Sequence, residues 1–143
     1  MRDRESLESA YYRAEYVVRS PQRKTIVRVG VMNHELDIIL EESGYSNYAI
    51  ISAHNPGSNR LSDAENTARH GRLLEELEVR RVPFWTAENL DPDAKWPDEK
   101  SVCVLGVEPE VAAEIGRTYA QAAVLIGSRG QSPSIFWLAG DGV

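Results

Sequence analysis

Between residues 52 and 66 the chain reads SAHNPGSNRLSDAEN, and within seven residues of that stretch stand His54, Asn55, Ser58, Asn59 and Arg60. An imidazole near neutral pH can act as a general base. Amide and hydroxyl groups can bind the polar edges of a small molecule. Two more candidates follow on the next element: Asn66, and Arg69, whose guanidinium could reach an acidic ligand. Arg28 stands apart in TIVRVG. If its strand face is covered, it requires a carboxylate or anionic ligand; if it faces solvent, it requires nothing.

The same residues have a plainer account. Asn55-Pro56-Gly57-Ser58 carries proline and glycine at the two central positions of a type II turn. Ser62-Asp63-Ala64-Glu65 is a capping box, in which Ser62 and Glu65 satisfy each other's backbone N–H groups. A helix start closed in this way has few free N–H groups for an anion. With one glycine and no lysine, the loop is no phosphate cradle. Glu65 qualifies as a catalytic base only if the capping box leaves it free.

Other chemistry is sparse. His34 and His70 are distant in sequence from His54, and no metal-ligand spacing exists, so no metal and no cofactor are expected. With no second histidine or cysteine near it in the chain, His54 lacks the partners of a nucleophilic set. Cys103, the single cysteine, lies in the apolar run SVCVLG and reads as a small buried hydrophobe. The formal charge of −6 disfavours a nucleic-acid surface, and the basic run from Arg19 to Arg28 reads as a solvated loop. No apolar stretch approaches the roughly 20 residues of a membrane helix. MRDRESLES lacks the apolar core of a signal peptide, so a cytoplasmic protein is expected.

The elements that must position these residues follow from periodicity. ESLESAYYRA places Leu7, Ala10, Tyr11 and Ala14 on one helical face, and AEYVVRS with KTIVRVG reads as a hairpin. HELDIILEES is a helix capped by Asn33 and stopped at Gly44. NYAIISA is a short strand, and the longest helix runs from Ser62 to about Arg81. Ala64, Ala68 and Gly71 would let the first half of that helix press against the sheet. Glu65, Arg69, Arg72 and Glu76 would form a solvated, ion-paired stripe. VPFWTAE and SVCVLGV are strands joined by the polar loop NLDPDAKWPDEK, in which Trp96 is an anchor or a lid; Trp85 and Trp137 read as core. A helix from about Pro109 to Gln121 precedes a second hairpin, AAVLIG and SIFWLAG. The order α-ββ-α-β-α-β-β-α-ββ predicts one α+β domain over residues 1–143: about four helices on a mixed, mostly antiparallel sheet with terminal hairpins.

Tyr12-Arg13-Ala14, Arg28-Val29-Gly30, AHNPGS at 53–58 and the pattern LSxxENxxR at 61–69 together resemble domain of unknown function family 3293. Trp96-Pro97, the strand ending in Gly106, and QAAVLIG at 121–127 extend the resemblance from about Tyr12 to Leu138. It implies a small bacterial, cytoplasmic, single-domain protein and marks the Asn-Pro loop as a hallmark, but implies no activity. His54 stands where the family resemblance leads one to expect an aromatic residue, and Ser52 where threonine is usual. That weakens the case for His54 as an essential catalyst.

Ligands of open α/β sheets sit beyond the carboxyl ends of strands. The leading expectation is therefore a binding module for a small polar or anionic ligand after strand 47–53, held by Asn55, Ser58, Asn66, Arg69 and Arg28. The alternatives are a protein-interaction or regulatory subunit, including a homo-oligomer, and a hydrolase or transferase using Glu65 or His54 as base.

Overall fold

The computed structural model describes residues 3–138. Its elements come in the expected order: α1 (Arg4–Arg13), β1 (Glu15–Arg19), β2 (Lys24–Val27), α2 (His34–Ser43), β3 (Asn47–Ser52), α3 (Asp63–Arg80), β4 (Phe84–Leu90), β5 (Glu99–Leu105), α4 (Pro109–Thr118), β6 (Ala123–Ser128) and β7 (Ser134–Trp137). The helix ends follow from local chemistry. Asp3 and Asn33 cap α1 and α2 by accepting from Ser6 and Leu36 N–H, and Gly44 ends α2 in the left-handed conformation. Ser62 and Glu65 form the capping box of α3.

The seven strands make one sheet in the order β2-β1-β4-β5-β3-β6-β7. All six pairings are antiparallel, so the mixed sheet that the sequence allowed resolves into an antiparallel one. β3 lies between β5 and β6, both later in the chain, and α3 and β4 intervene before β5 returns to pair with it. Val102 to Leu105 of β5 are buried in succession, because both faces of the sheet are covered. On one face Leu36, Ile39 and Leu40 of α2 pack against Val18, Tyr48, Ile50, Trp85 and Leu125. On the other, Leu73 and Leu77 of α3 and Ala112 and Ile115 of α4 pack against Ile51, Val102, Val104 and Val124. Tyr48 faces Gly127 across β3–β6, and a Cβ at that glycine would lie 2.4 Å from the phenol oxygen, so the aromatic ring requires glycine there.

The small-residue stripe of α3 does not face the sheet. Ala64 and Ala68 are exposed, and a Cβ built on Gly71 meets nothing within 4 Å. Asn66, Leu73 and Leu77 are buried instead. Nor do the pairs Glu65–Arg69 and Arg72–Glu76 form: Glu65 turns back to Ser62, Arg69 turns inward, and Glu76 binds Arg80 and the Tyr119 hydroxyl. No helix among the described residues is long and apolar enough to cross a membrane.

Candidate functional site

β3 delivers the chain at Ser52 into a loop that is hydrogen-bonded throughout. The Ser52 hydroxyl accepts from His54 N–H at 3.0 Å and donates to the Lys100 carbonyl at 3.2 Å. Asn55 takes a left-handed backbone (φ 47°), which asparagine tolerates better than most residues. Ser58 N–H closes the Asn-Pro-Gly-Ser turn on the Asn55 carbonyl at 2.9 Å, with Gly57 at φ 59°. Gly57 N–H then donates to the Ala120 carbonyl at 2.7 Å, fastening the turn to the end of α4.

The side chains singled out in the sequence fall into three groups. Asn55 and Asn66 hold each other: Asn55 N–H donates to Asn66 Oδ1 and Asn66 Nδ2 donates to Asn55 Oδ1, both at 2.9 Å. Asn55 Oδ1 also accepts from Leu61 N–H at 2.8 Å. Arg69 donates to the carbonyls of Ala53 (2.6 Å) and Tyr119, so its charge sits at the carbonyl end of α4, where the helix dipole favours a cation. Arg28 follows β2, is largely exposed and pairs with Glu15 at 2.5 Å, away from the loop. Of the five expected ligand contacts, Asn55 and Ser58 line the cleft described next, and Asn66, Arg69 and Arg28 do not.

That cleft occupies about 620 Å³, counting the part open to solvent, on the α1 side of the sheet. Its floor is Tyr16, Asn89 and Glu99, which stand opposite one another in register across β1, β4 and β5. Leu7, Ala10 and Tyr11 of α1, with Ala14 at its end, form one wall. Trp96 and Pro97 form another, and His54, Asn55, Ser58 and Gln121 close the end beneath β3. Asp91 organises the β4–β5 loop by accepting from the N–H groups of Asp93, Lys95 and Trp96. It also binds Arg13 of α1 at 3.1 Å, and that hydrogen bond is the main reason its carboxyl is held down at about 2.

Glu99 is the chemical centre of the cleft. Its Oε2 accepts from Asn55 Nδ2 at 2.8 Å and from the Trp96 indole N–H at 2.9 Å. Burial raises its carboxyl above the usual range, outweighing the stabilisation of the anion by Asn55, Trp96 and Ser52. Sequence reasoning missed this residue by assigning 89–100 to a loop, whereas β4 runs to Leu90 and β5 starts at Glu99. The signal was alternation: Trp85, Ala87 and Asn89 on one strand and Glu99, Ser101 and Cys103 on the other share one face.

A second residue pair is visible only in three dimensions. His70, distant from His54 in sequence, meets it edge to face with ring centroids 6.1 Å apart. His54 Nε2 and His70 Nδ1 are buried, with no hydrogen-bond partner among the described residues. Burial lowers both, His54 to about 4, with His70, Lys100 and Arg69 pushing His54 further down against the opposing charge of Asp63. Those two cations disfavour a metal ion at the imidazoles, and no group of three or more His, Cys, Asp or Glu among the described residues could hold one.

Residues 51–124, just over half of the chain, match the model of a family described as "Protein of unknown function (DUF3293)". The chain belongs to that family. No curated protein and no solved structure matches it. In this DUF3293 protein the matched segment carries His54, Asn55, Ser58, Trp96 and Glu99, but the α1 wall and Tyr16 of the cleft precede it.

Proposed function

We propose that this DUF3293 protein binds a small polar molecule in the cleft between α1 and the β4–β5 loop, with Glu99 as the anchoring acceptor. The observation that carries this reading is a carboxyl drawn below the surface, oriented by Asn55 and Trp96, on the floor of a cleft with apolar and aromatic walls. Burying a carboxyl is costly unless something compensates it, and the protein's own donors to Glu99 are neutral. An anion fits poorly, because the cleft carries Asp91 and Glu99 and no lysine or arginine among the described residues lines it.

The catalytic alternatives have weaker support. Glu65 Oε1 is occupied by the Ser62 N–H and hydroxyl on the exposed start of α3. His54 reaches the cleft, but its Nε2 lacks a hydrogen-bonded nucleophile among the described residues. A protein partner has one supporting feature, the exposed apolar side chains of Tyr12, Ile26, Val31 and Met32.

Thermal-shift measurements with millimolar sugars, nucleosides, amino acids and small amines test the binding reading. At about 100 Kd a ligand stabilises by about 2.7 kcal/mol, equivalent to a rise of several degrees in Tm. The expected result is a hit that disappears in Glu99→Ala while circular dichroism stays native. Asn55→Ala and Arg69→Ala are poor probes, because both side chains hold the loop itself. No stabilisation by any compound would overturn the reading.

A further inference from the structure

Two carboxyls line the cleft, and their surroundings differ. Asp91 is ion-paired with Arg13 and takes three backbone N–H groups. Glu99 has no ion pair among the described residues, and the donors to its Oε2 are a neutral amide and a neutral indole. Tyr11, Tyr16 and Trp96 line the same cleft, and aromatic rings attract positive charge.

We propose that the ligand of this cleft is a small organic cation, an amine whose ammonium group pairs with Glu99 and whose carbon frame packs against Tyr11, Tyr16 and Trp96. The inference rests on the cleft being a ligand site and adds the charge of what fills it. A buried carboxylate is stabilised most by an opposite charge that also donates hydrogen bonds. A neutral ligand of the same shape leaves that charge uncompensated. The apolar side chains of Leu7, Ala10 and Ala14 suit a hydrocarbon portion and offer no counter-charge of their own. With a net charge of −6, the protein as a whole also attracts cations.

The test compares benzylamine, cationic at pH 7, with its neutral analogue benzyl alcohol. Binding is followed through the Trp96 indole N–H resonance in two-dimensional NMR, identified by its loss in Trp96→Phe. Benzylamine is expected to move that resonance and to bind at least about tenfold more tightly than the alcohol. Glu99→Gln is expected to abolish the preference and Glu99→Asp to keep it at reduced affinity. If the alcohol binds as tightly as the amine, the cleft remains a ligand site and the cation inference falls. If neither moves the resonance, the cation inference falls, and the thermal-shift panel decides separately whether the cleft is a ligand site. The comparison in the unaltered protein decides the matter even where a variant does not fold.

Discussion

Asn55 and Asn66 illustrate how a polar residue can look like a ligand contact and serve as a joint. Both are buried, and each supplies what the other lacks: one backbone N–H and two side-chain amides are satisfied in a closed exchange. Removing one partner strands the other at a cost of about 1–3 kcal/mol. Asn66→Ala should lower the free energy of urea unfolding by about that amount. Asn55→Ala should cost more, since alanine also resists the left-handed backbone by about 1–2 kcal/mol. The double variant should lose clearly less than the sum of the two, because the shared bonds can be lost only once. Strict additivity would show that the two amides do not act as a unit. The types and positions of these residues were legible in the sequence. Their mutual pairing was not, because the same asparagine that caps a turn can also point into a pocket, and only the fold of α3 against β3 decides between them.

At the scale of elements, what was readable was whatever neighbouring residues determine. The caps at Asn33 and Ser62, the stop at Gly44 and the proline opening α4 all stand where local chemistry places them. The face of α1 was legible too, but its destination was not. Leu7, Ala10, Tyr11 and Ala14 line the cleft, and α1 contributes no fully buried residue. Besides the packing of Tyr11 against the core, the helix is held at its ends: Arg13 binds Asp91 and Asp93, and the Arg4 guanidinium lies 4.0 Å from the centroid of the Trp137 ring. These contacts span 78 residues or more, and no local pattern announces them. An element attached in this way opens more readily than the core. Arg13→Ala should speed amide hydrogen exchange over residues 4–13 several-fold and leave β3 and β5 unchanged. Equal acceleration across the sheet would show instead that α1 is part of the cooperative core.

For the whole molecule, the two groups that meet around the β3 loop respond to acid in opposite directions. His54 is lowered from 6.5 to about 4 and His70 is also lowered, chiefly by burial. Near pH 6 the unfolded chain therefore binds more protons than the folded one, so their contribution is complete above about 6.5 and is lost as pH falls toward 4. Glu99 is raised above 4.5 by burial, so the folded state holds its proton more tightly. Its contribution is complete below 4.5 and is lost as pH rises through its folded value. The two trends overlap just above pH 4.5, where protonation of Glu99 offsets part of what the histidines lose. Unfolding free energy measured by urea at pH 7, 5.5 and 4.5 should fall with acidification. His54→Asn combined with His70→Asn should flatten that decline, and Glu99→Gln should steepen it, since the compensating proton no longer has a site. An unchanged or shallower slope in Glu99→Gln would mean that burial does not burden this carboxyl, and with that the argument for a charged ligand at Glu99 would lose its electrostatic basis.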